Sequence, residues 1–208
     1  MDFKKLISIL NNFDRIELPG EVAHTEIAPY RNTRFNTPKK DPRHAAVLVH
    51  LYPIENETYF TLIKRTTYDG AHSGQIAFPG GKEEKEDLNL TETALREARE
   101  ETNITSENLK VIGELTKIYI PPSNFHVTPV LSLNKAKPNY IAEEHEVDSI
   151  LEVKLSDLLN SNNMQNIDIK LDNGTTLNTP SFSLVNETVW GATAMILNEL
   201  KLIIQPKG

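Results

Sequence analysis

Cysteine is absent from the 208 residues, and tryptophan occurs once. Without cysteine there is no disulfide scaffold, no thiolate zinc site and no cysteine nucleophile. Long hydrophobic runs are missing as well: no apolar stretch approaches the roughly 18–20 residues of a membrane span. The start, Met1-Asp2-Phe3-Lys4-Lys5, has neither the apolar stretch nor the small-residue cleavage site of a signal peptide. A positive excess is the third absence. The formal charge is −7, which argues against non-specific nucleic-acid binding, where a basic stripe is needed. These absences lead us to expect a cytoplasmic protein with no membrane and no nucleic-acid partner. Apolar and charged residues make up 38% and 25% of the chain, ordinary for one globular domain with additions.

The charge that is present is clustered. Residues 82–101 carry a net −4 and residues 143–157 a net −5. Clustered carboxylates are either a solvated face or a supply of hard oxygen ligands for a cation.

Periodicity divides the rest. Phe3, Leu6, Ile7 and Leu10 fall at helical spacing, an amphipathic helix that needs a covering surface, either the body of the chain or a second copy in a homodimer. From Phe13 to Arg43 the pattern dissolves into an arm or wrapped loop. We therefore divide the chain into residues 1–43, a helix and extended arm, and residues 44–208, the main domain. His44–Tyr52 and Thr58–Arg65 read as strands of a hairpin. Leu90–Thr102 reads as a helix, Leu109–Ile120, Phe125–Leu133 and Val147–Val153 as strands, and Leu155–Leu159 as a short helix. Ile167–Ile169 and Thr175–Leu177 suggest a small hairpin, and Trp190–Ile204 a final helix. Central strands with one central and one terminal helix imply an α/β protein with a mixed sheet covered by helices.

The central helix holds Arg96-Glu97-Ala98-Arg99-Glu100-Glu101. Glu97 and Glu101, four apart, share one face, and Glu100 flanks it. Arg96, four residues from both Glu92 and Glu100, offsets part of the repulsion. One reading is a salt-bridged exposed helix. The other is a ligand cluster for Mg²⁺ or Mn²⁺, which take carboxylates, water and phosphate oxygens. Gly80-Gly81 just upstream let a backbone approach a phosphate closely.

Gly81 to Ile104 resembles the Nudix box, G-x5-E-x7-R-E-U-x-E-E-x-G-U, with U aliphatic. Arg96 to Ile104 matches its second half, with Ala98 at the aliphatic position and Asn103 in place of the family's glycine. From Gly81 to Arg96 is one residue more than in the pattern, so Leu88 occupies the register of the lone Glu, with Glu86 or Asp87 as its substitute if the loop bulges. The longer loop, together with Leu62-Ile63-Lys64-Arg65-Thr66 and His72-Ser73-Gly74-Gln75-Ile76-Ala77-Phe78-Pro79-Gly80-Gly81, is similar to the coenzyme A pyrophosphatase branch of that family. Thr66 stands for the motif's small Ser/Ala, and Gly70 for its second Arg. Val127–Val130, Glu146-Val147, Val153–Leu159 and Val189–Ala194 extend the likeness over about residues 43–204.

The resemblance implies an α/β/α Nudix sandwich and a metal-dependent pyrophosphohydrolase. In such enzymes water, activated by Mg²⁺ or Mn²⁺, attacks a phosphorus of a diphosphate linkage. It implies Glu97 and Glu101 as metal ligands with Glu100 third, and Arg96 as the group orienting them. Glu146 is either a general base or part of a solvated loop. A small-molecule nucleoside diphosphate derivative would contact Arg65, Gly80 and Gly81, with His72 either a further contact or a structural histidine of the loop. Strand alternation sends Lys64 and Arg65 to opposite faces, and the motif favours Arg65. Coenzyme A or an acyl-CoA, split into 3′,5′-ADP and (acyl-)4′-phosphopantetheine, is the expected substrate. Gly70 in place of Arg keeps another nucleoside diphosphate derivative such as ADP-ribose open, as well as a Nudix-like binding module without catalysis.

Overall fold

In the computed structural model, which describes residues 1–29, 40–67, 74–170, 174 and 176–205, β1 (Arg43–Ile54) turns at Glu55-Asn56 into β2 (Glu57–Arg65). Both turn residues have positive φ, 48° and 71°, the conformation whose twist matches that of the flanking strands. The two strands pair directly only from Leu51–Phe60 to Ile54–Glu57. Beyond that they splay. β3 (Ile76–Ala77) enters the gap along Ile63 and Lys64 of β2, and β4 (Gly80–Lys82) along Ala45–Val47 of β1. This wedge carries Gly80-Gly81 into the sheet, beside the helix that follows.

β5 (Leu109–Glu114), β6 (Ile118–Ile120) and β7 (Phe125–Asn134) come next. β7 runs parallel to β1 and carries β5 and β6 antiparallel. β8 (Val147–Lys154) pairs antiparallel with β2. The result is an eight-stranded mixed sheet, the α/β arrangement expected from the sequence. Leu109–Ile120 is two strands rather than one: the chain breaks at Leu115–Lys117, where the Thr116 amide turns from β7 to the Glu199 carboxylate at 3.2 Å. The small hairpin expected near residue 170 is longer and forms part of a second, three-stranded sheet of β9 (Met164–Lys170), β10 (Thr176–Leu184) and β11 (Glu187–Val189).

Alternation along β1 sends Ala46 and Leu48 to one face. There they pack with Ala94 and Ala98 of α3 (Leu90–Thr102) and with Ile104 and Val130. Val49 and Leu51 point the other way, into a larger core with Phe60, Leu62, Phe182 and the inner side of α5 (Gly191–Ile204). The short α4 (Leu155–Leu159) adds Leu155 and Leu158 to that core. Two helix-covered faces of one sheet follow directly from the period-2 pattern of β1. Among the described residues, no helix is long and apolar enough to cross a membrane.

The N-terminal segment belongs to this body. α1 (Phe3–Leu10) buries Phe3, Leu6 and Leu10 in the larger core. Its start is held on the hairpin by Phe3 N–H to Asn56 O at 2.9 Å and Thr58 N–H to Met1 O at 2.8 Å. The apolar stripe is covered by the chain itself and calls for no second copy. The expected arm from Phe13 to Arg43 contains a further helix, α2 (Gly20–Ile27), which corrects the sequence reading. Its inward face is short, Ala23, His24 and Ile27, and its polar partners lie far away in sequence. His24 Nε2 is 3.0 Å from buried Glu199 Oε2, Thr116 donates to the same carboxylate, and Asn198 Nδ2 donates to Ala23 O at 2.8 Å. Local periodicity carries no trace of partners 175 residues away.

Candidate active site

α3 begins where Asn89 caps it, its side-chain oxygen accepting the Glu92 amide at 3.0 Å. It ends at Asn103, whose φ of 60° is left-handed. Ala94 and Ala98 let the helix lie close on β1, and the carboxylates then fall against the glycine turn of β4. A side chain on Gly80 would collide with the Ala46 carbonyl and Val47, and one on Gly81 with the Glu97 carboxylate. The two glycines therefore serve close approach. Gly80 is buried and its N–H donates to Glu101 Oε2 at 2.8 Å. As placed, that amide serves the helix carboxylate instead of facing the expected phosphate.

Glu101 is 2% exposed, and Arg65 Nη1 lies 3.3 Å from its Oε1. Burial pushes its carboxyl up to about 7. The Gly80 amide and Arg65 pull it down, while Glu97 and Glu146 push it further up. Glu97 is also raised, first by burial, against the pull of Arg96 and with the push of Glu100 and Glu146. Glu146, just before β8, is thus close enough to act electrostatically on both. Lys64 lies on the opposite face from Arg65, paired with Glu187 at 2.8 Å. His72 and Gly70 lie outside the described residues.

Arg96 organises the outer side. Its Nε and Nη2 fork onto Asp87 at 2.9 Å each, Nη2 reaches Lys82 O at 3.0 Å, and Nη1 reaches Glu97 at 3.0 Å and Glu100 at 3.2 Å. This bidentate geometry is the strong form of the pair, and it holds the Asp87 carboxyl well below the usual range. The Glu84 amide and the Thr93 hydroxyl also donate to Asp87. The extra residue of the loop is thereby accommodated with Asp87 facing Arg96, while Leu88 is 83% exposed. Spacing alone leaves Glu86 and Asp87 equivalent, because it does not show which way the loop bulges.

The donor set fits a hard divalent cation: carboxylates of Glu97, Glu100 and Glu101, two of them strained by mutual repulsion and burial. Among the described residues, no three His, Cys, Asp or Glu side chains are already gathered as ligands. Glu97 and Glu100 are turned to Arg96, and Glu101 to Gly80 and Arg65. Arg96 meets each of these carboxylates through one oxygen, Oε1 of Glu97 and Oε2 of Glu100. A cleft of about 430 Å³ opens on the Glu100 side of α3, lined by Arg99, Glu100, Asn103 and residues 141–145.

A family model described as the NUDIX domain matches residues 42–171. An uncharacterized Nudix hydrolase NudL from Yersinia pestis is 34% identical over 158 residues, 76% of this chain and 78% of the relative. The protein of that name from Yersinia pseudotuberculosis matches to the same extent, 34% over 158 residues. Among solved structures, a MutT/nudix family protein from Enterococcus faecalis has a TM-score of 0.52 at 16% identity, covering 95% of this chain and 78% of that one. A MutT protein from Methanosarcina mazei Go1 also has a TM-score of 0.52, at 18% identity, covering 81% and 99%. At these identities the structures bear on the fold alone.

Proposed function

From the premise that this chain belongs to the Nudix hydrolase family and is a pyrophosphohydrolase acting on diphosphate linkages, we propose that coenzyme A or an acyl-CoA is its substrate. The observation that carries the chemistry is the pair Glu97 and Glu101 pressed onto Gly81 and Gly80, with Arg65 on Glu101. The observation that favours coenzyme A is the run Leu62–Thr66 with Ile76–Gly81, which resembles that branch's motif and forms the end of β2 and the glycine wedge.

Glu97, Glu101 and Glu100 would hold Mg²⁺ or Mn²⁺, which would supply charge neutralisation on the diphosphate and lower the pKa of water. Arg96, anchored by Asp87, sets the rotamers of Glu97 and Glu100. Arg65 pairs with the carboxylate that accepts the Gly80 amide, so it meets the diphosphate while balancing Glu101. Glu146 takes the proton of the attacking water. The oxygen of that water bonds to phosphorus, the bond from that phosphorus to the bridging oxygen breaks, and the bridging oxygen leaves on the other phosphate. With coenzyme A the products are 3′,5′-ADP and 4′-phosphopantetheine.

Gly70 in place of the motif's second Arg favours one alternative, a nucleoside diphosphate derivative such as ADP-ribose, because it removes a cation that would meet an additional phosphate. A panel of coenzyme A, acetyl-CoA, ADP-ribose and dinucleoside polyphosphates, incubated with Mn²⁺ and resolved by product mass, decides between them. Preferential release of 3′,5′-ADP supports the coenzyme A reading, and turnover confined to ADP-ribose supports the alternative.

A further inference from the structure

The loop that brings Glu146 to the site is fastened to the C-terminal turn of α3. The last carbonyls of a helix have no partner within it. Here two of them are taken by the loop: Ile141 N–H donates to Thr102 O at 3.2 Å, and Glu143 N–H to Glu101 O at 3.0 Å. A third bond comes from a side chain. Asn103 Nδ2 donates to Asn139 O at 2.9 Å.

Asn103 stands where the Nudix box has glycine. The left-handed conformation at a helix end is open to glycine and is next most accessible to asparagine. Asparagine therefore keeps the backbone geometry and adds a donor that glycine lacks. From this strut the loop runs to the reacting groups. Glu143 Oε2 accepts the amides of His145 and Glu146 at 2.9 Å each, and Glu146 O accepts the Thr66 amide at 3.0 Å. Thr66 is next to Arg65, which pairs with Glu101. Glu146 is thus positioned from both ends, and one end leads back to Asn103. Tyr140 shares a 2.7 Å hydrogen bond with Thr61, and Lys137 pairs with Glu152 at 2.6 Å. These two anchors hold the loop on the sheet without Asn103, so its amide adjusts placement and is not required for folding.

We propose that Asn103 is a positioning residue that fixes the 139–146 loop on α3 and so sets the position of Glu146. The proposal rests on the pyrophosphohydrolase reading for its kinetic consequence, but the coupling itself is independent of substrate. The test uses Asn103→Gly, which preserves the left-handed turn and removes the side chain that carries the donor. In the metal-free protein, amide hydrogen exchange at Ile141 and Glu143 should quicken by about ten-fold or more while the strand core exchanges as before. In the hydrolysis assay kcat should fall between about 10- and 100-fold with KM within about two-fold, the signature of a displaced reacting group. In a Glu146→Gln background the same Asn103→Gly change should cost nothing further, because the group it positions is gone. Exchange unchanged at Ile141 and Glu143 overturns the coupling whatever the substrate proves to be. Faster exchange with an equal kcat cost in both backgrounds overturns the route through Glu146. A wild-type protein inactive on every diphosphate refutes the functional reading instead, and leaves the exchange result to decide the coupling.

Discussion

The amide of Gly80 lies 2.8 Å from Oε2 of Glu101, so a backbone donor from the sheet is committed to a buried carboxylate on the helix. The same carboxylate sits with Arg65 on one side and the charges of Glu97 and Glu146 on the other, and its pKa is pushed up to about 7. The folded state therefore binds this proton more tightly than the unfolded chain. The corresponding stability is fully present below about pH 4.5 and is lost as pH rises through 7. Glu101→Gln removes that cost. The metal-free variant should be about 1–3 kcal/mol more stable than the parent at pH 8 and equal to it at pH 4.5, measured by urea unfolding.

Protons and cations compete for that site. Because Glu101 must lose its proton to serve as a ligand, Mn²⁺ affinity should rise with pH up to about 7 and level off above it. Below pH 7 the expected slope approaches about ten-fold per unit. Titration of free Mn²⁺ by electron paramagnetic resonance between pH 5.5 and 8.5 measures it, and a pH-independent affinity in the parent contradicts Glu101 as a ligand.

Asp87, with a side chain 5% exposed, is the partner of Arg96. Asp87→Ala should destabilise the protein by about 2 kcal/mol, discounted for the partial exposure of Arg96. It should also lower kcat, since Arg96 then has only Glu97, Glu100 and a carbonyl to hold. Glu86→Ala and Leu88→Ala, at exposed neighbouring positions, should change neither. Since the Asp87 carboxyl is held below its ordinary value by Arg96, its contribution is present above about pH 4 and is lost on further acidification.

His50 is fully buried on the α3 face of β1, 3.2 Å from Thr61 Oγ1, and desolvation lowers its pKa to about 4. In this case the unfolded state binds the proton more tightly, so stability is complete above about pH 6.5 and declines as pH falls toward 4. The loss approaches about 3 kcal/mol. Comparing the parent with His50→Asn by urea unfolding at pH 7.5 and 5 should show the steeper acid loss in the parent.

Much of this fold was legible where the cause is local. The bounds of α3 follow from a capping Asn89, small Ala94 and Ala98 on one face, and a left-handed stop at Asn103, all within fifteen residues. The hairpin of β1 and β2 follows from two apolar runs with β-branched residues across Glu55-Asn56. The grouping of Glu97, Glu100 and Glu101 at the candidate site was legible because helix geometry fixes their relative placement. Three features were not. α2 depends on His24 meeting Glu199, a contact between chain ends that periodicity does not encode. The splay of β1 from β2, which admits Gly80-Gly81, is a tertiary event. The choice of Asp87 over Glu86 depends on how one extra loop residue bulges, which only the fork of Arg96 reveals.

Turnover of coenzyme A by the parent, Glu97→Gln and Glu101→Gln proteins, each with Mn²⁺ and each checked for folding by circular dichroism, tests the account most directly. The parent should release 3′,5′-ADP and 4′-phosphopantetheine, and each variant should lose about 100-fold or more in kcat, as expected when a ligand of a catalytic metal is removed. Unchanged turnover in both folded variants would contradict the account.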